Sequence, residues 1–279
     1  MIRKIIHGAR AWLKRQNEYL ESQHDLLMRA EWSRSKDEAK NPLNRFGAKY
    51  FSQGDEDGLA LEIIKRLGIK NGTFAELGVG DGLENNTLIL LASGWRGFWI
   101  GGEDLAFNHK LNPERFSFAK AWVSLDNVTS LIRHGLEGIG IRTLDVLSLD
   151  LDGNDYYLVR EILKVGILPK LFILEYNAKF PPPIKWTIEY DANHSWDGTD
   201  YQGASLALLA ELLSEFSYTL VCCNAATGAN AFFVKDEYLS HFADVPKSID
   251  DIFVECRYQR YKRWGHPPSP KTVERILTE

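Results

Sequence analysis

Glu76, Gly78, Gly80 and Gly82 stand at alternate positions in the stretch FAELGVGDGLENNT. That spacing suits binding more than bond-making. Glycine permits positive φ and removes a Cβ that would collide with a ligand lying across a turn. Further along, SLDLDGND offers Asp150, Asp152 and Asp155, and ILEYN offers Glu175 and Asn177. Hard oxygen ligands at two neighbouring strand ends suit Mg2+, which keeps water in its remaining positions. Asp150, Glu175 and Asn177 form the candidate metal set, with Asp152 able to replace either acid. A metal there would hold substrate oxygens and lower a hydroxyl pKa. Three local readings compete. Asp152-Gly153-Asn154 is good turn chemistry, Asp155 can cap the following helix, and Asp150 can contact a cofactor.

The long stretch AKFPPPIKWTIEYDANHSWDGTDYQG carries Trp186, Tyr190, Trp196 and Tyr201 among Asp191, Asp197 and Asp200. Long ordered inserts are usually functional. Aromatic faces with nearby carboxylates suit a ring-shaped or polyhydroxylated substrate. His194 is the first candidate for a general base, because histidine titrates nearest neutrality. Asp197 or Asp200 would orient it or act instead, and Asp152 is the alternative base. A lid histidine making a structural hydrogen bond is the competing reading.

These residues need elements to place them. From about residue 51 helices and strands alternate. GLALEIIKRLGI reads as a helix, GTFAEL as the strand before the glycines, and NNTLILLASG as the helix after them. GWRGFWIGGED and SFAKAWVS read as strands, NVTSLIRHGL as a helix, TLDVLSLDLD as a strand and DYYLVREILKVG as a helix. LPKLFILEYN is a strand, GASLALLAELLSEF a helix, and YTLVCCN with NAFFVKDEY a final strand pair. Short apolar strands alternating with helices predict a buried, mostly parallel sheet. The last two strands have no helix between them and must pair antiparallel. Ligands of such open sheets bind at the carboxyl ends of the strands, where the glycines and acids fall.

A doubly wound, mostly parallel α/β sheet with an antiparallel final strand resembles the Rossmann-like class I methyltransferase fold. The competing dinucleotide fingerprint, G-x-G-x-x-G, needs a glycine where the chain has Leu83. A carboxylate at Glu76 would repel a pyrophosphate, yet it pairs well with the ammonium of a methionine moiety. The loop therefore favours S-adenosylmethionine. SQGDEDG, GWRGFWI and DVLSLDLDGNDYYLV further resemble the FkbM family of S-adenosylmethionine-dependent O-methyltransferases, over roughly residues 50 to 240. The resemblance implies that Glu76, Gly78, Gly80 and Gly82 hold the cofactor. It implies a sugar, glycan or secondary-metabolite hydroxyl as acceptor. The fold usually carries a ribose-binding acid at the tip of the second strand. Here Gly101 and Gly102 stand there, so either a longer strand lets Glu103 do that work, the favoured reading, or the ribose contact is lost. Asp126 and Asn127 sit where the fold contacts adenine, with a helix N-cap as the alternative.

The whole chain limits other classes. Its 279 residues carry a net charge of −5, so no overall basic field exists for nucleic acid. Cys222, Cys223 and Cys256 form no zinc-site spacing and read as buried thiols of a cytoplasmic protein. No apolar run is long enough for a signal peptide or a membrane span. The expected division is an N-terminal helical extension (1–50), a methyltransferase domain (51–245) and a C-terminal extension (246–279). Ile2, Ile5, Ile6, Ala9, Trp12 and Leu13 form a helical stripe among basic residues. That stripe packs on its own domain, mediates homo-oligomerisation, or lies on a partner or membrane. Arg257, Arg260, Lys262 and Arg263 make a basic aromatic tail, either a solvated face or a phosphate site. Two other functions compete: a metal-dependent glycosyltransferase using Asp150-Leu151-Asp152, and a non-catalytic module that kept the fold.

Overall fold

The computed structural model describes residues 2–257, with side chains from His7 onward. The Arg260, Lys262 and Arg263 of the basic tail, and the side chains of Ile2, Ile5 and Ile6, lie outside the described residues. Seven strands form one sheet: β1 (Thr73–Leu77), β2 (Arg96–Gly101), β3 (Phe116–Lys120), β4 (Val146–Leu149), β5 (Leu171–Glu175), β6 (Tyr218–Cys223) and β7 (Asn230–Lys235). Their order is β3-β2-β1-β4-β5-β7-β6. β1 to β5 run parallel, and β7 runs antiparallel to both β5 and β6. This is the Rossmann-like class I methyltransferase fold expected from the alternation of elements. One detail is additional: the last strand in sequence inserts between β5 and β6. Its segment NAFFV is buried throughout, as a central strand requires.

Helices α1 (Ile2–Glu38), α2 (Glu56–Arg66), α3 (Leu88–Ala92), α4 (Val128–Gly138), α5 (Asp155–Lys164), α6 (Leu206–Ser214) and α7 (Ile249–Ile252) complete the fold. Successive strand residues point to opposite faces. Ala75 and Leu77 of β1 therefore join Phe98, Leu147 and Phe172 under α4, α5 and α6. Phe74 joins Trp99, Ile173 and Phe232 under α2 and α3. Each of these buried large side chains contributes roughly 1.5–3 kcal/mol. Ile252 and Cys256 pack into the first of these cores, so the described part of the C-terminal extension shares it.

The parallel register does the work that matters for the site. Leu77 pairs with Ile100 and with Leu149, so β1, β2 and β4 end level. Gly78, Gly101 and Asp150 consequently lie side by side at one edge. The 178–203 insert stands over this edge on a small core of its own, formed by Phe180, Trp186, Ile188 and Tyr201. It is tied down by Trp122 Nε1 donating to Ala192 O at 2.8 Å and Tyr157 OH donating to Ile188 O at 2.7 Å. Among the described residues, α1 meets the domain through its C-terminal half, where Lys36 donates to Gly47 O. Among the described residues, no helix is long and apolar enough to cross a membrane.

Candidate functional site

A crevice of about 600 Å3 opens at the carboxyl ends of β1, β4 and β5. The three glycines bordering it have different jobs. Gly78 has φ +93°, and a Cβ there would lie 1.5 Å from Asp150 O. Gly82 has φ +84°, with Leu105 Cδ2 2.8 Å from the place of its missing Cβ. Both are demanded by the fold itself. Gly80 is different: nothing lies within 4 Å of its Cβ position, and it lines the crevice. Of the three, Gly80 is the one kept bare toward the cavity.

Glu76 is the last buried acid of β1. Its Oε1 accepts Asn86 N at 3.0 Å, and Oε2 accepts Thr87 N at 2.9 Å and Thr87 Oγ1 at 2.6 Å. The carboxylate thus caps the turn leading into α3, and burial raises its pKa. The ammonium-binding task expected of it competes with three bonds already made. Asn86 extends the network, since its Nδ2 donates to Ser148 Oγ at 3.2 Å and Asn230 Oδ1 at 3.4 Å. Asn230 Nδ2 in turn reaches Glu56 Oε1 at 3.3 Å. A buried polar chain therefore joins the start of α2, the start of β7 and the glycine loop.

Glu56 is a crevice residue that the sequence reading did not single out. It is 2% exposed and accepts Gly54 N at 2.8 Å and Asn224 Nδ2 at 2.8 Å. Burial, then the neighbouring Asp55, raises its pKa to about 7. The signal was present in SQGDEDG: three successive acids exceed what a helix N-terminus needs. Each has its own partners. Asp57 Oδ2 accepts the amides of Tyr50, Phe51 and Ser52, and Asp55 accepts those of Ala225 and Ala226.

The acids after β4 and β5 do converge. Asp150, Asp152 and Glu175 each place a carboxylate oxygen within 4.8 Å of the others. Asp150 and Glu175 are hydrogen-bonded to each other; burial raises both pKa values well above the ordinary range, helped at Asp150 by the charges of Asp152 and Asp155 and at Glu175 by those of Asp150 and Asp152. Among the described residues, the Oε2 of Glu175 is buried with no hydrogen-bond partner, as are Asn85 Oδ1 and Trp32 Nε1, and all three residues line the same crevice. Asn177 leaves the candidate metal set. Its Nδ2 donates to Asp200 O and Gln202 O at 2.8 and 2.9 Å, and its Oδ1 accepts Lys179 N. It anchors the insert instead. Asp155 also has a local task, accepting Leu151 N and Gly153 N and so shaping the turn in which Asp152 takes φ +53°.

Other expected residues lie elsewhere. Glu103 is exposed and, among the described residues, does not line the crevice. An acid at the last residue of β2 is excluded, because a Cβ on Gly101 would lie 2.1 Å from Val79 O. Asp126 is exposed, and Asn127 braces its own loop by accepting Ser124 N and donating to Trp122 O. His194 sits behind the acids. Its ring rests on Gly153, whose missing Cβ would be 2.3 Å from His194 Cδ2, and its Nε2 is buried without a partner. Asp197 Oδ1 accepts Thr199 N at 3.0 Å and Thr199 Oγ1 at 2.6 Å in a local turn. Trp186 stacks on Phe180 at 4.3 Å, so its face is used in the insert's core; Trp196 is the aromatic that reaches the crevice. His24, Met28 and Trp32 of α1 and Arg257 complete the opposite wall.

No family model and no curated protein matches this chain. Among solved structures it is similar to the Burkholderia thailandensis 1,6-didemethyltoxoflavin-N1-methyltransferase with bound 1,6-didemethyltoxoflavin and S-adenosylhomocysteine. The identity is 15% and the TM-score 0.38, over 78% of this chain and 86% of that one. It is similar to the MycE methyltransferase of the mycinamycin biosynthetic pathway, in complex with Mg, S-adenosylhomocysteine and mycinamycin VI. There the identity is 12% and the TM-score 0.33, over 63% and 45% of the two chains. A third is the cyclase SpnF, at 14% identity and TM-score 0.35, over 64% and 68%. Likeness this distant assigns no activity.

Proposed function

We propose that the chain is an S-adenosylmethionine-dependent methyltransferase acting on a hydroxyl, in the FkbM manner, of a sugar, glycan or secondary metabolite. The observation that carries the reading is Gly80, bare toward a cavity at the strand ends while its two companions serve the fold. The unpartnered atoms of Asn85, Glu175 and Trp32 support a polar ligand in the same space. The residues fit the cofactor, which when bound supplies an electrophilic methyl group. Gly80 and the loop fixed by Glu76 would hold it beside the acids.

The remaining work belongs to the chain: aligning the acceptor and removing its proton. The hydrogen-bonded Asp150 and Glu175 replace His194 as the proton acceptor, because they line the crevice and His194 does not. Burial raises the pair's proton affinity above that of a carboxyl in water. Trp196 and Trp32 offer apolar surface to a ring. As the alternative to that proton-sharing state, Asp150, Asp152 and Glu175, all deprotonated, would hold Mg2+, a fit resting on three hard oxygen donors and, among the described residues, the unpartnered Oε2 of Glu175. The metal would supply Lewis acidity toward the acceptor oxygen. The glycosyltransferase reading also uses Asp150 and Asp152 but gives Gly80 no task.

Calorimetry with S-adenosylmethionine and S-adenosylhomocysteine tests the cofactor, beside a Gly80→Asp variant. One saturable site, lost on substitution, is the expected result; well-folded wild type that binds neither refutes the reading. Transfer of a labelled methyl group to hydroxylated sugars, against amines, tests the acceptor. Amine-only transfer removes the O-methyl assignment. A thermal shift with Mg2+, present in wild type and absent in Asp150→Asn, tests the metal.

A further inference from the structure

Helix α1 runs for 37 residues, about 55 Å, and its side chains from His7 to Leu27 are exposed among the described residues. Trp12 and Leu13, Tyr19 and Leu20, and Leu26 and Leu27 recur every seven residues, and all six are between 55% and 71% exposed. Seven-residue spacing keeps these pairs on one stripe, as a helix seam requires. Gln16 and Gln23 lie along the middle of that stripe. Hydrocarbon penalises buried amides, whereas a second helix can hydrogen-bond them.

The charges give the direction. Every charged residue from Arg3 to Arg15 is basic (Arg3, Lys4, Arg10, Lys14, Arg15), and the next three are Glu18, Glu21 and Asp25. This runs against the helix's own dipole, which favours acids at its N-terminus; the first turn of α1 has none. Ion pairing within the helix absorbs little of it: Lys14 meets Glu18 at a marginal 3.8 Å, and Asp25 pairs forward with Arg29. Laid head to tail against itself, the segment places its basic half on the acidic half of its copy.

We infer that α1 pairs antiparallel with α1 of a second copy of this chain through the stripe at residues 12–27. The pairing covers the six exposed apolar side chains, joins opposite charges at both ends, and brings a partner to the helix that walls the crevice with His24 and Met28.

The full-length protein tests this by sedimentation equilibrium. Wild type is expected at twice the 31.8 kDa chain mass. Leu13→Glu with Leu20→Glu is expected at the monomer mass with an unchanged melting temperature of the domain, since both side chains are exposed. A second variant, Lys14→Glu with Arg15→Glu, retains the apolar stripe and should weaken the dimer at least tenfold at low salt. The orientation is read from spin labels on Ala9→Cys, the three native cysteines being buried. Antiparallel helices crossing between residues 19 and 20, the middle of the stripe, hold the labels about 30 Å apart, whereas parallel ones bring them within roughly 10 Å. A wild-type monomer at tens of micromolar, a dimer indifferent to both variants, or close labels each overturn the inference. So does a monomer whose α1 instead co-floats with anionic vesicles.

Discussion

Replacing Gly78 and Gly80 in turn by alanine separates a glycine needed by the fold from one kept for a ligand. At Gly78 an alanine must adopt φ +93°, which costs about 1–2 kcal/mol. Its Cβ also arrives 1.5 Å from Asp150 O, so β1 and β4 must move apart. A shift of that kind in a packed interior costs typically ~1–3 kcal/mol. The sum, about 2–5 kcal/mol, lowers the melting temperature by roughly 10 °C in a domain of this size. At Gly80 the Cβ meets nothing and φ is not left-handed, so stability should change by less than about 0.5 kcal/mol. The added methyl stands in the crevice, however, and intrusion into a fitted contact should weaken S-adenosylhomocysteine roughly 5- to 150-fold. Scanning fluorimetry reads the first effect and calorimetry the second. If Gly80→Ala melts as low as Gly78→Ala, or binds the product as tightly as wild type, the division of labour is refuted.

Glu76→Gln should lower the ligand-free melting point by the equivalent of ~1–3 kcal/mol, because an amide cannot accept three donors from Asn86 and Thr87; an unchanged melt would mean that the capping role is negligible. The pH dependence has a definite sign. Folding raises Glu56 from 4.5 to about 7 and Asp155 from 3.8 to about 6, so the folded state binds more protons than the unfolded between those values. Stability should therefore fall as pH rises from about 4 to about 7, and ligand-free protein should melt higher near pH 5.5 than near pH 8. The opposite order would mean that these carboxyls are ionised more easily folded than unfolded. Gly153→Ala should expel the His194 ring, so that adding His194→Ala costs no further stability. Additive losses would place the ring elsewhere, and loss of turnover in His194→Ala alone would restore it as the base.

The fold was legible because its signals are local and repeated. Apolar runs such as LFILE, punctuated by Gly166 and Pro169, could hardly be anything but buried strands, and the short CCNAATGAN link forced antiparallel pairing. Sheet order is a long-range property, which is why β7 entering between β5 and β6 was not foreseen. At the site, Asp150, Asp152 and Glu175 were found because strand ends point one way. Asn177, two residues after Glu175 on the same run, failed for a reason spacing cannot express: its amide is consumed by the insert. Glu76 and Glu56 show the same limit from opposite sides. Residue type announced an acid near the crevice at Glu76 and not at Glu56, and in both cases donors come from other segments, Asn86 and Thr87 for the one and Asn224 for the other. The insert's aromatics misled most, since Trp186 and Trp196 look alike in sequence and only one faces the cavity.

Val79 O pressing on the Cα side of Gly101 has a bearing on cofactor chemistry. Where related folds set a carboxylate to grip two ribose hydroxyls, this chain has main chain crossing main chain. With S-adenosylmethionine bound as proposed, recognition of its sugar would be left to shape, and discrimination between ribose and its 2′-deoxy or 2′-O-alkyl analogues should be weak. An enzyme with that trait would accept synthetic methyl donors that a ribose-gripping relative rejects, and substituting Gly101 by an acid could not reverse it without first moving the loop.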